Sequence, residues 1–256
     1  MIVDLEQPVR TESRLRTEIL IVLGLSLGQS AIYSLVTIIA RLTADRPLSQ
    51  QTATLNPSQS ARPYLDLTYQ LLGIFFALVP VVLALFLLAR DHSPRLELGL
   101  DARRPWFDLG WGAGLAAAIG IPGLGLVWLA SQLGINASLV PAALPDLWWA
   151  VPVLILAAAE NAILEEIVVV GYLVTRLRDL HWRLPYVVLA SAVLRGSYHL
   201  YQGFGAFVGN MVMGVVFALF FLRTRRVLPL VVAHTLLDVV AFVGYALLPE
   251  DWFTWL

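Results

Sequence analysis

The chain contains no cysteine and no lysine, and only 14% of its 256 residues are charged. Without cysteine there is no disulfide framework, no thiol nucleophile and no Cys-ligated metal. All 17 basic residues are arginine, which we take as a GC-rich coding bias and not as chemistry. Soluble domains carry about 25% charged residues. Here hydrophobic residues make up 59% and the mean hydropathy is +0.77, a composition that calls for a lipid bilayer as partner. A net charge of −1 argues against a nucleic-acid partner.

What is present is a series of long apolar runs. Seven windows predict helices over about 19–40, 67–89, 110–133, 148–174, 186–201, 207–222 and 228–248, in a chain where each span needs about 20 residues. The first run is too long for a signal-peptide core and is kept as a span. Arginines alternate between the separators. Arg10, Arg14 and Arg16, then Arg90, Arg95, Arg103 and Arg104, then Arg176, Arg178 and Arg183, then Arg223, Arg225 and Arg226 fall on one side, and only Arg41, Arg46 and Arg62 on the other. The positive-inside rule then places the amino terminus in the cytoplasm and the carboxyl terminus outside the cell membrane. Trp148, Trp149, Trp252 and Trp255 fall at the outer boundary, and Trp106, Trp111 and Trp182 at the inner one, as aromatic belts do.

Between the spans, Thr43 to Pro63 is rich in Ser, Thr, Gln and Pro and reads as an exposed flexible loop. Arg90 to Asp108 alternates apolar and charged residues, as an interfacial segment or a plain connection would. The spacing of Gly110 and Gly114 predicts close helix packing. The fifth and sixth windows, about 16 residues each, reach only about 24 Å and predict a short hairpin with its tip at Gly203 and Gly205.

Five ionisable side chains lie inside these runs: Glu165, Glu166, His199, His234 and Asp238. A charge in hydrocarbon costs at least a few kcal/mol, so such groups face a cavity and have a task. Counted at the helical rise, Glu165 lies about 16 Å above Arg176, His199 about 20 Å above Pro185, and His234 about 10 Å above Val227. These depths put the groups in one layer, in a core expected to open toward the cytoplasm. Asn161 and Glu165, Arg195 and His199, and His234 and Asp238 are each four apart and share a helix face. Glu165 and Glu166 point about 100° apart, so one faces the site while a partner holds the other, with Arg195 the intramembrane candidate for that partner. Asn210 and Tyr198 lie near the same layer, where a polar hairpin contact is the plainer reading of each. Two imidazoles and two or three carboxylates suit water-activating hydrolysis. They also form an acceptable Zn²⁺ ligand set in Glu165, His199, His234 and Asp238, although no HExxH spacing is present; metal-free and zinc chemistry both stay open.

Three segments carry a resemblance. EEIVVVGYL from Glu165 to Leu173, RGSYH from Arg195 to His199, and HTLLD from His234 to Asp238 are similar to the three motifs of the CPBP intramembrane protease family, which includes CaaX prenyl-protease-like and bacteriocin-processing (Abi) proteins. The resemblance covers about residues 148–242. It implies that Glu165 activates water with help from His199, and that His234 and Asp238 steady the oxyanion. The arginine which the family places five after the first glutamate is Val170 here. Arg195 is expected to supply that charge from the next helix.

The expected molecule is an all-α, polytopic transmembrane bundle of about seven spans. Residues 1–147 form a three-span membrane region with interfacial loops, and 148–248 a four-helix catalytic core. The expected activity is intramembrane endopeptidase action on a membrane-associated protein or peptide, supported at the site by Arg195 and Asn210. A catalytically silent relative acting as a membrane scaffold and a proton-coupled transporter are the alternatives.

Overall fold

The backbone of the computed structural model is described over residues 7–247 and the side chains over 12–247; Trp252 and Trp255 lie outside the described residues. Helices occupy all seven apolar windows. The first window is broken: α1 (Gln7–Gly24) and α2 (Leu27–Leu42) meet at 55°. At the break Ser26 turns its hydroxyl back onto the Val22 carbonyl at 2.6 Å, which helps end α1.

Helices α3 (Pro63–Ala77) and α4 (Val79–Leu88) run on as one rod over Pro63–Leu88. A short α5 (Pro94–Glu97) precedes α6 (Pro105–Gln132). Then come α7 (Ala150–Glu165), a π-helical segment (Glu166–Tyr172) and α8 (Leu173–Asp179), followed by α9 (Leu184–His199), α10 (Phe204–Thr224) and α11 (Leu228–Leu247). Proline stands in the first turn of α3, α6 and α9, where its missing N–H costs nothing and its fixed φ suits a helix start. By length and composition, four helices among the described residues can each cross a membrane, or five with the bent α1–α2 pair. Large side chains such as Ile32, Phe86 and Ile121 are exposed on these rods, an apolar exterior that fits lipid and not water. The chain is a multi-pass membrane protein.

Small residues set the helix spacing. In the α9–α10 hairpin a Cβ on Gly214 would stand 2.8 Å from the Ala192 Cα, and one on Gly196 2.8 Å from the Phe207 carbonyl oxygen. On α6, the glycines against α11 are Gly112 and Gly120, which face Val232 and Leu237, whereas Gly110 and Gly114 have open space. The expected packing glycines were thus the wrong pair, because the face of α6 turned to α11 is that of 112 and 120. The hairpin also differs from expectation. Helix α9 has 16 residues, but α10 starts at Phe204 and has 21.

The segment from Thr43 to Pro63 is ordered. Its strand β1 (Thr52–Thr54) pairs in parallel with β2 (Ser138–Val140). Asn56 donates its amide to the Pro141 carbonyl at 2.7 Å, and buried Asp66 accepts from Ser58 Oγ and the Gln59 amide. Partners distant in sequence, invisible in a loop-like composition, hold it.

The opposite, arginine-bearing end is closed by two ion clusters. Arg226 forks onto Asp108 at 2.7 Å through both Nε and Nη2 and reaches Asp101 through Nη1 at 3.1 Å. Buried Arg176 binds Glu18, Asp91 and Asp179, joining α8 to α1 and to the turn after α4. The stretch from Arg90 to Asp108 is therefore docked into the bundle, with Leu98 wholly buried and its carbonyl accepting the Val227 amide at 2.8 Å.

Candidate active site

Glu165 is the last residue of α7 and Glu166 the first of the π segment. π turns inside α-helices are rare and occur often at functional sites. The widened turn leaves carbonyls in need of donors, and two hydroxyls provide them: Ser191 to Val169 at 2.9 Å, and Thr175 to Gly171 at 2.7 Å. The whole segment is buried.

Arg195, fully buried on α9, bridges the adjacent carboxylates. Its Nη1 donates to Glu165 Oε2 at 3.1 Å and its Nη2 to Glu166 Oε1 at 2.7 Å. The planar fork of a guanidinium reaches two acceptors that a single helix face could not present to one point charge. Its own position is fixed by the Phe217 ring, whose centroid lies 5.4 Å from the guanidinium carbon. The expected ion pair from Glu166 to Arg195 is present, and Val170, with no exposed surface, lies in the apolar core.

The remaining groups fall around this pair. Tyr198 donates its hydroxyl to Glu165 Oε2 at 2.7 Å. His234 Nδ1 stands 2.7 Å from Glu166 Oε1; a carboxylate only accepts, so that nitrogen carries the hydrogen. The other ring nitrogen, Nε2, is 3.7 Å from Asp238 Oδ2, beyond direct hydrogen bonding. His199 Nδ1 accepts from the Gln202 amide at 3.2 Å, which places the hydrogen on Nε2. That Nε2 faces Glu165 Oε1 at 3.8 Å, a gap suited to a bridging water. Glu165 thus has one oxygen tied by two donors and the other turned toward an imidazole.

The structure brings together Glu165, Glu166, Arg195, His199 and His234, with Asp238 at the edge. Asn210 is not drawn in by a hydrogen bond: its amide donates to Ala206 in its own helix at 3.0 Å. Tyr198, placed near this layer by the sequence but read there more plainly as a hairpin contact, is part of the cluster. Gln202 was missed, because its position depends on the short 3₁₀ turn Leu200–Gln202 at the hairpin tip.

For a metal, Glu165, Glu166 and His234 each offer a donor atom within 4.8 Å of the others. This differs from the expected set, which used His199 and Asp238. Arg195 takes one oxygen of each carboxylate and His234 Nδ1 is turned onto Glu166 Oε1, while Glu166 Oε2 has no partner among the described residues and Glu165 Oε1 is left toward His199. Donor atoms therefore remain for a cation; what disfavours a resident metal is the charge of the buried guanidinium beside them.

Residues 147–240 match the family described as type II CAAX prenyl endopeptidase Rce1-like. The matched stretch holds all six residues of the cluster. No curated protein and no solved structure matches the chain. The match runs from α7 through most of α11 and supports the likeness to CPBP and CaaX proteases that the three sequence segments carry.

Proposed function

We propose that the protein is an intramembrane endopeptidase that hydrolyses a peptide bond of a membrane-associated protein or peptide, with Glu165 as the general base. The observation that carries this reading is the asymmetry at Glu165. Oε2 accepts from Arg195 and Tyr198, while Oε1 faces His199 Nε2 across 3.8 Å. Water in that gap is within reach of a carboxylate oxygen that can take its proton.

The proton then moves from water to Glu165 Oε1 as oxygen attacks the scissile carbonyl, and returns to the departing amine. His199, held by Gln202 with its hydrogen toward the cleft, positions the water and donates to it. His234 is anchored through Nδ1 on Glu166; as an imidazolium it would donate from Nε2 to the developing oxyanion. Asp238, an acceptor only when ionised, steadies that nitrogen's charge. Glu166 and Arg195 are positioning residues. Residues 148–248 supply this chemistry, and 1–147 form the surrounding membrane scaffold.

The positive charge of Arg195 on one oxygen of each carboxylate supports glutamate-type over zinc chemistry. It also answers the motive for a silent scaffold, since the cation missing at Val170 is supplied from α9. The amino terminus is assigned to the cytoplasm and the carboxyl terminus to the outside of the cell membrane, on the arginine distribution. The test is cleavage of a peptide library by purified protein in lipid. Glu165→Gln should abolish it with the fold intact; persistent cleavage in that variant removes Glu165 from the role.

A further inference from the structure

The arginine-poor end of the bundle carries only Arg41, Arg46 and Arg62. Two of the three, Arg41 and Arg46, line one groove of about 540 Å³, together with Leu42, Asp45, Ile135 and Phe204. The groove lies between the end of α2, the turn after α6 and the start of α10. It shares no residue with the Glu165 cluster.

The two arginines are held in place by the chain. Gln51 donates its amide to the backbone carbonyls of Arg41 and Arg46, both at 2.9 Å, and so fixes the turn that carries both side chains. Arg41 spends Nη2 on the Thr52 carbonyl at 2.9 Å, while its Nη1 is buried with no acceptor among the described residues. Neither guanidinium, nor Asp45, forms an ion pair among those residues. At the other end of the bundle Arg14, Arg176, Arg225 and Arg226 all have carboxylate partners. An anion between two fixed cations relieves their repulsion. Phosphate suits the place, because its oxygens match the planar fork of a guanidinium. With Asp45 counted, the lining has the charge that balances one phosphodiester.

The apolar side of the groove continues into lipid. Ile32, Leu35, Ile39 and Leu42 follow a three-four spacing along α2 and are each more than half exposed. They form one stripe, which ends in the groove at Leu42. The adjoining face of α2, with Leu27, Ser34 and Ile38, is buried, so the stripe is the side left to hydrocarbon. Apolar side chains leading up to a fixed pair of cations match the outline of a phospholipid, chains below and head group above.

We propose that this groove binds a glycerophospholipid of single negative charge, its phosphodiester between Arg41 and Arg46 and its acyl chains along α2. Phe204 opens α10 next to the tip turn that places Gln202, so an occupied groove ties α2 and the turn after α6 to the α9–α10 hairpin. The site does not depend on the hydrolytic reading of the Glu165 cluster.

The test is a titration of the purified full-length protein, in neutral detergent, with phosphatidylglycerol, bound lipid being counted by native mass spectrometry. One phosphatidylglycerol should be retained more tightly than phosphatidylcholine with the same chains. Arg41→Gln and Arg46→Gln should each weaken it about tenfold, the scale of one lost hydrogen bond to a charged group. Arg62→Gln, at the same end but outside the groove, should leave it unchanged. The Arg46 side chain makes no hydrogen bond among the described residues, so Arg46→Gln reads binding even where Arg41→Gln disturbs the fold. Glycerophosphoglycerol, the head group without chains, should not displace the lipid at equal concentration. Unchanged binding in Arg46→Gln, equal retention of phosphatidylcholine, an equal loss in Arg62→Gln, or displacement by the soluble head group each overturns the proposal.

Discussion

Tyr198 donates its phenolic hydrogen to Oε2 of Glu165 at 2.7 Å, and so leaves the carboxylate's other oxygen to face the cleft. A hydrogen bond to a charged group contributes roughly 1.5–3 kcal/mol. If that bond fixes the rotation of the base, Tyr198→Phe should lower kcat/KM about ten- to hundredfold while the thermal midpoint moves by only a few degrees. Steady-state cleavage beside thermal unfolding in detergent decides it. An unchanged kcat/KM would mean that Arg195 alone orients Glu165.

Arg195 carries a larger structural load. It is the guanidinium bound to both Glu165 and Glu166, and removing one partner of a buried pair costs about 3–5 kcal/mol because a charge is stranded. Arg195→Met should therefore lower stability strongly, beyond the loss of activity. Arg195→Lys should recover part of the stability but little activity, since an ammonium cannot fork onto two carboxylates. A charge-reversal swap, Glu166→Arg with Arg195→Glu, should be more stable than either single variant. A swap no better than the singles would argue against direct pairing.

How much of this was legible in the sequence depends on what kind of signal each residue left. Glu165, Glu166, His199, His234 and Asp238 stood out because ionisable groups are costly in hydrocarbon, and four-residue spacings gave their faces. The partnership of Arg195 with Glu166 followed from there being one buried cation near two carboxylates. The π segment left no such trace: Val168, Val169 and Val170 read as plain apolar helix, and only the hydroxyls of Ser191 and Thr175, arriving from other turns, reveal the freed carbonyls. The same applies to the ordered segment before α3. Its partners Asn56 and Pro141 are 85 residues apart, so composition alone suggested mobility.

The clamp at the arginine-bearing end titrates. Asp101, in the connection between α5 and α6, has its carboxyl held below the ordinary value of 3.8. The Arg103 amide is the leading favourable cause, opposed by burial and reinforced by Arg226. With a folded-state pKa below the unfolded one, its contribution to stability is fully present above the ordinary range. It is lost as the pH falls through the depressed folded value. Acid unfolding of the native protein should therefore steepen below about pH 4, and Asp101→Asn should flatten that limb while lowering stability at neutral pH. A parallel acid profile in the variant would show that Asp101 does not report the clamp.

The choice between glutamate and metal chemistry can be made on one preparation. If Glu165 is the base, Glu165→Gln should lower kcat by about 10²–10⁴-fold, the range for a positioned general base. Its amide still accepts from Tyr198 and Arg195, so the helix packing should hold. Treating the native enzyme with a chelator should leave kcat unchanged, because the Arg195 guanidinium already places a positive charge against both carboxylates. Zinc chemistry would give the opposite pattern: activity lost with chelation, restored by added Zn²⁺, and a Zn²⁺ stoichiometry that falls in both Glu165→Gln and His234→Ala. The guanidinium, 2.7 Å from Glu166 Oε1 and 3.1 Å from Glu165 Oε2, opposes a second cation close by, which is why the metal-free outcome is the one expected of this assay.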